Sequence, residues 1–302
     1  MKLEGFVRPS GQAGARNHVF IVPSVVCSTA LSRQIADAVG AVTVSHQHGC
    51  GHIGPDIGQA RDLFAGLATN PNVGRSLIAS LGCETVQGKH IAAELERRGH
   101  SAALVGIQDS GGHEPALAAG IEQARPLVAE VGQIGRSSVG FEALTLGITA
   151  SRTDARIGRL IAAAVEAGAR VVIAADPIVV ETIPDGAATV AVGEPVTAPV
   201  SQVARAGAGA QLLAAVASCG AALIVDFPAD GQPPQGLAVA PVLGVAGGGD
   251  FHAMIADDFD ADADADAPAI LARVAEVFSG STVRAEERGA TAFAIPRLLR
   301  TM

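Results

Sequence analysis

Two apolar rhythms alternate along the chain. Short runs dense in Val, Ile and Leu are followed by longer Ala-rich stretches whose apolar positions repeat with helical spacing. HVFIVPSVVC, residues 18–27, predicts a strand, and STALSRQIADAVGA after it predicts a helix capped by Ser28 or Thr29. AVTVS, RSLIASLG and SAALVGIQ predict three further strands. The helical stretches between them are IGQARDLFAGLATN, which Asp56 is placed to cap, and TVQGKHIAAELERRGH; EPALAAGIEQARPLVAEVGQ follows the last strand. This alternation is the signature of a parallel sheet covered by helices.

The rhythm breaks at Gly132–Gly140, GQIGRSSVG, and then resumes. ALTLGITA, RVVIAAD, AALIVDF and part of GLAVAPVLGVAGGG read as strands. TDARIGRLIAAAVEAGA, SQVARAGAGAQLLAAVASCG and DAPAILARVAEVFSG read as helices. The expectation is an α/β protein of two Rossmann-like or flavodoxin-like domains with mainly parallel sheets, residues 1–140 and 141–302. The acidic run 257–267 reads as a solvated loop, without the glycine and terminal glutamate of a calcium-binding loop. GQAGARN and GVAGGGD read as turns, since neither fits a nucleotide-binding glycine pattern.

Composition narrows the function classes. Of 302 residues 49% are hydrophobic and 17% charged, enough apolar surface for a packed core. Aromatics are 3%, the net charge is −9, and no basic stripe forms, so no nucleic-acid partner is expected. No apolar run reaches bilayer length, so no membrane partner is expected. The N-terminal stretch lacks the apolar core of a signal peptide, so a cytoplasmic location is expected, with the cysteines as thiols or ligands.

The chemistry collects at predicted strand ends, where open parallel sheets bind their ligands. The first strand ends at Cys27, the second at His46, His48 and Cys50, the third at Cys83 and Glu84, and the fourth at Gln108 and Asp109. Cysteine with histidine suits iron, zinc or an iron–sulfur cluster, although no C-x₂-C pair is present. A nucleophilic Cys83 ahead of a helix, with His46 or His48 as base, is the rival reading.

These blocks resemble the altronate and galactarate dehydratase family, which includes the large subunit of sulfolactate sulfo-lyase. The resemblance is carried by GFVRPSGQAGARNHVFIVPSVVC, HQHGCG, NPNVGRSLIASLGCE and IQDSGG in order, and by GLAVAPVLGVAGGGDFHAMIADDFDADA later. Ser10, Gln12 and Ser110 stand where the family usually has aspartate, arginine and cysteine, and the second half lacks the family's ECGGSD segment. The resemblance implies β-elimination from a small hydroxy acid, assisted by Fe(II) or a similar divalent metal, with an iron–sulfur cluster as the alternative. It assigns His46, His48 and Glu84 to catalysis and Cys27, Cys50 and Cys83 to the metal. Arg8, Arg16, Asn17, Gln108 and Asp109 would hold the substrate. A small substrate-binding subunit and a homo-oligomer are the expected partners. A sulfo-lyase subunit and a non-catalytic scaffold are the alternative readings.

Overall fold

A computed structural model describes residues 2–176 and 184–299. The first half is a four-stranded parallel sheet built from β3 (His18–Pro23), β4 (Val42–Thr43), β5 (Val73–Ser80) and β6 (Ala102–Gly106). Its order is β4-β3-β5-β6, so the chain moves outward from β3 to β4 and then returns to the other side of β3. Before it come β1 (Leu3–Val7) and β2 (Ala13–Gly14), which pair antiparallel. Helices α1 (Thr29–Val39) and α4 (His113–Val131) cover one face, and α2 (Pro55–Ala68) with α3 (Gly88–Arg97) covers the other.

The four strands expected in the first half are therefore neighbours in one sheet. Their ends differ from the sequence reading. The first strand stops at Pro23, and Val26–Ser28 form a 3-10 turn ahead of α1. Asp56 does not cap α2; the capping position is Gly54, and Asp56 is buried in the first turn.

The second half carries a six-stranded parallel sheet. Its strands are β8 (Thr145–Ala150), β9 (Arg170–Ala175), β10 (Ala188–Val190), β11 (Val200–Val203), β12 (Leu223–Phe227) and β13 (Val242–Gly244), in the order β10-β11-β9-β8-β12-β13. Helices α5 (Ala155–Glu166) and α8 (Ala267–Phe278) cover one face, and α6 (Ala210–Ser218) the other. Two short helices, α7 (Asp250–Met254) and α9 (Arg284–Glu287), flank α8. The helix expected over 201–220 is half wrong: Val200–Val203 is a strand, because Val200, Ser201 and Gln202 pair with β9. Part of the 170–176 strand's sequel, residues 177–183, lies outside the described residues.

The glycine-rich break near 132–140 also contains structure. β7 (Ser137–Val139) pairs antiparallel with Leu3–Gly5, so the junction is bound to the start of the chain. The acidic run is largely the exposed loop expected, but it is anchored. Asp260 accepts from Gly244 N–H, Asp266 caps α8, and the carbonyls of Asp262, Ala263 and Ala265 accept from Arg156. It is a hydrogen-bonded wrap, although Asp262 and Asp264 themselves remain exposed.

The two sheets share one apolar core through α2 and α6, with Phe64, Leu63, Leu212 and Leu213 buried between them. The helices approach so closely at Gly66 that an added Cβ would stand 2.2 Å from the Ser218 carbonyl oxygen. Asn70 donates to Ala217 and Ala221 carbonyls and Asn72 to that of Ala222, so buried amides lock the loop after α2 to the second half. No helix among the described residues is long and apolar enough to cross a membrane.

One buried carboxyl sets a pH dependence. Asp226 on β12 accepts from the Thr149 hydroxyl at 2.7 Å, and burial pushes its pKa up to about 6. A folded carboxyl raised above its unfolded value binds the extra proton in the folded state. Stability then falls as pH rises from about 4 to about 6 and is flat above. Asp226→Asn should be more stable than the parent at pH 8, by about 2–3 kcal/mol, and equal to it below pH 4, as read by urea unfolding at the two pH values.

Candidate functional site

The order β4-β3-β5-β6 makes the gap between the carboxyl ends of β3 and β5 the place where the chain reverses its outward progression, and such gaps are where open α/β sheets bind ligands. Glu84 bridges that gap. It is 2% exposed, and its carboxylate accepts from the Ser24 hydroxyl at 2.8 Å, from Gly82 N–H at 2.6 Å and from Gly88 N–H at 3.4 Å. Burial pushes its pKa up, but backbone N–H donors and Ser24 together outweigh burial and hold it below the usual value. Glu84 is therefore a bonded anion that shapes the loop. It is not the free acid expected from the sequence. It also occupies the start of α3, which begins at Gly88, so Cys83 does not sit at a helix terminus as the nucleophile reading requires.

The loop after β4 is tied across this gap. Val26 N–H donates to the His48 carbonyl at 2.7 Å, Thr29 Oγ1 to that of His46 at 3.2 Å, and Thr85 Oγ1 to that of Cys50 at 3.5 Å. Gly49 has φ +136°, and a Cβ there would stand 2.3 Å from Val25 Cγ2, so the crossing needs glycine. These ties bring Cys27, Cys50 and Cys83 to one exposed rim. They are close enough that Cys27 and Cys83, with Glu84, add to desolvation in pushing the Cys50 thiol up. Among the described residues, no three His, Cys, Asp or Glu side chains converge as a ready-made ligand set for one metal ion. Cys219 is apart from the rim, buried and pushed up to about 11 chiefly by burial.

Three imidazoles sit beside the thiols. His46 is 2% exposed and stacks on Phe64 at 5.0 Å between ring centres. Its Nδ1 accepts from His48 N–H at 3.0 Å, so the neutral ring carries its proton on Nε2, which is buried without a partner. Burial, with His52 and His48 adding, pushes His46 down to about 3. At neutral pH it is thus a fixed donor, which corrects its assignment as a proton carrier. His52, which the sequence reading passed over, is also buried; its ring lies 6.1 Å from that of His46 and 5.8 Å from that of His48, and neither of its nitrogens has a partner. Burial pushes its pKa down as well. His48 is the half-exposed member of the three.

Gln108 and Asp109 follow β6 on the same rim; Gln108 N–H donates to the Leu81 carbonyl, and its side chain lies against Gly82. Arg8, Arg16 and Asn17 do not join them. Asn17 precedes β3, and Arg8 Nε donates to the carbonyl of Pro71 ahead of β5, so both lie at the amino ends of strands whose carboxyl ends form the rim. A six-residue strand separates the two edges by about 20 Å. Arg8 also donates to Asn17 Oδ1, and burial, then Arg75, lowers it to about 10. Arg16 grips Glu286 with two nitrogens and reaches the carbonyls of Ala15, Val277 and Ser281. These three residues are structural clamps.

A C-terminal segment completes the surroundings. Phe293 and Ile295 are buried in the shared core, and Phe293 packs on Phe64 at 5.9 Å. Gln47 and Gln59 donate to the carbonyls of Phe293 and Pro296. Asp56, 1% exposed, accepts from Leu298 N–H at 2.6 Å and pairs with Arg297, which also reaches the Gly51 carbonyl. The Asp56–Arg297 pair has no signal in local sequence; only the burial of an aspartate in an otherwise apolar helix face hints at it.

The rim is thus that of an open α/β protein with thiol and imidazole groups at its switch point. Residues 5–132 match the family described as D-galactarate dehydratase/Altronate hydrolase, second domain. Over this region the chain is similar to altronate/galactarate dehydratases. The altronate dehydratases of Bacillus subtilis (strain 168) and Escherichia coli (strain K12) are each 32% identical to it, over 92 and 91 residues. Those stretches cover 27% and 26% of this chain and 18% of each relative, so the similarity spans under a fifth of their length.

Two outcomes follow. His46 has a folded pKa below its unfolded value, so its contribution to stability is complete above about pH 6.5 and is lost as pH falls toward 3. His18, held down to about 4 mainly by burial, acts in the same direction. Acidification from pH 6.5 to 4 should cost roughly 3 kcal/mol through His46. His46→Asn, which keeps an acceptor for His48 N–H, should flatten part of that slope in unfolding titrations. Separately, Arg16→Ala should lower stability by about 2 kcal/mol, because Glu286 and buried carbonyls lose their donor. Denaturant unfolding of that variant should show the loss while its thiol count and rim reactivity toward a thiol reagent stay as in the parent.

Proposed function

We propose that the chain is a dehydratase-type lyase acting on a small hydroxy acid of the sugar-acid class, assisted by iron. The observation that supports this best is the arrival of Cys27, Cys50 and Cys83, from three different strand ends, on one exposed rim beside a half-exposed imidazole. The similarity to altronate dehydratases is consistent with it. Three cysteine sulfurs with a neighbouring imidazole are donors that suit a soft metal or an iron–sulfur cluster, and would not suit magnesium or calcium. Cys27, Cys50 and Cys83, which do not stand as a ready-made ligand set in this structure, would have to draw together to hold it; when bound it would supply Lewis-acid polarisation of the substrate carboxylate.

The chain's own residues have separate tasks. His48 takes the proton from C2 of the hydroxy acid. The imidazolium then returns that proton to the departing C3 hydroxyl, which leaves as water, and the resulting enol becomes a 2-keto-3-deoxy acid. Glu84 fixes the loop that carries Cys83. His46 and His52, neutral and buried, keep charge and water away from the His48 ring. Gln108 and Asp109 border the rim where substrate hydroxyls would lie.

The test is anaerobic reconstitution with Fe(II), with iron counted per chain and keto-acid formation assayed on altronate and galactarate. Any small subunit encoded beside the gene is added. Iron binding with turnover is expected. Cys83→Ala should lose iron, whereas His48→Ala should keep iron and lose ~10²–10⁴-fold in turnover. A chain that binds no iron and turns over no hydroxy acid would be a scaffold subunit instead.

A further inference from the structure

Three imidazoles stand in a row beside the thiol rim. His46 and His48 both neighbour His52, with ring centres 6.1 and 5.8 Å from its own and ring planes at 77° and 86° to it. His46 and His52 are buried, and His48, at the end of the row, is half-exposed. His46 Nε2 and both ring nitrogens of His52 are enclosed without a partner among the described residues. Buried polar groups are nearly always hydrogen-bonded, and three such orphans in one row call for a cause. Keeping bulk water from His48 does not supply it, since two phenylalanine rings would do that at less cost.

The hydrogen bonds around the row restrict what can complete it. His46 Nδ1 accepts from His48 N–H, so the neutral ring has its proton on Nε2 and no lone pair there for a metal ion. The missing partner of His46 is therefore an acceptor. His52 is too far to accept directly: an N–H···N bond puts two imidazole centres roughly 5 Å apart, and these stand at 6.1 Å. Other groups near His52 are taken. The Gly49 carbonyl receives the backbone N–H of His52 at 3.4 Å, and Asp56 accepts from Leu298 N–H and pairs with Arg297. A single enclosed water can accept from His46 and serve His52 as well, and water is the usual bridge between buried polar groups that fall short of each other.

We propose that His52 is the positioning residue of His48. One His52 nitrogen donates, together with His46 Nε2–H, to the enclosed water. The other accepts from a ring N–H of His48, whose ring has no hydrogen bond of its own among the described residues. The His48 proton is thereby held on the nitrogen that faces His52, and the lone pair is left on the nitrogen turned away, toward the rim. The circuit closes on itself: the backbone N–H of His48 orients His46, and the row leads back to the ring of His48. This rests on the reading of His48 as the base and adds the group that fixes its tautomer.

Nitrogen-15 NMR of the full chain, labelled in histidine and held at pH 8 without added metal, reads the tautomer, with His48→Gln to assign the signals. His48 should show one tautomer in the parent and two in exchange in His52→Phe. It should show one again in His52→Gln, whose amide accepts through oxygen and donates through nitrogen as the imidazole does. A ring that only filled space would leave His52→Phe like the parent. In the iron-reconstituted assay, His52→Phe should lose ~10–100-fold in kcat with KM unchanged, and His52→Gln should recover most of it. The NMR arm needs neither metal nor substrate, so failure of the lyase reading and failure of this one are separable. Exchanging His48 tautomers in the parent would overturn the assignment whether or not the phenylalanine variant folds. So would a single His48 tautomer, or parent kcat, in His52→Phe.

Discussion

The hydrogen bond from Ser24 to Glu84 joins the two strand ends between which the first sheet reverses its order, and the rim is assembled around it. An ionised carboxylate at 2% exposure is costly unless its oxygens are bonded, and here a hydroxyl and two backbone N–H groups meet that need. In bonding them it fixes the turn at Gly82 and the entry to α3, and so the place of Cys83. Thr85, next in the chain, then reaches the Cys50 carbonyl and carries the constraint to the histidine loop. The loop in turn receives Val26 and Thr29 from the other side of the gap. A group that sequence logic assigns to proton transfer thus serves as the keystone of the rim.

Beneath the rim the two halves are not free bodies. α2 and α6 share one apolar layer, and at Gly66 they touch backbone to backbone. The histidine loop rests on that layer through His46 and Phe64. The segment around Phe293 closes it from above the second half. The neutral state of His46 and the position of Arg297 are therefore properties of the whole molecule and not of the loop.

The parallel sheets and most of their helices were legible because burial on both faces leaves dense Val/Ile/Leu runs and helical periodicity needs no distant partner. The rim was legible for the same reason: once strands are placed, their ends are placed. What failed was whatever depended on partners remote in sequence. Arg8, Arg16 and Asn17 look like a substrate clamp until the strand direction puts them at the opposite edge, where Pro71, Val131 and Glu286 take their hydrogen bonds. Ser201–Val203 looked helical because the following Ala-rich run is, yet pairing with β9 decides it. His46 looked reactive because a histidine in a polar loop is usually wet; a phenylalanine from α2 makes it dry.

Asp56 and Arg297 lie 241 positions apart, and the contact they make closes a very long loop. During synthesis, the first sheet has all its strands by Gly106, while the segment that seats the histidine loop is still unmade. Until then Phe64 lacks Phe293, and Asp56 lacks its partner Arg297. The apolar layer around Phe64 is therefore completed only after the segment carrying Phe293 is made, long after the first sheet's strands.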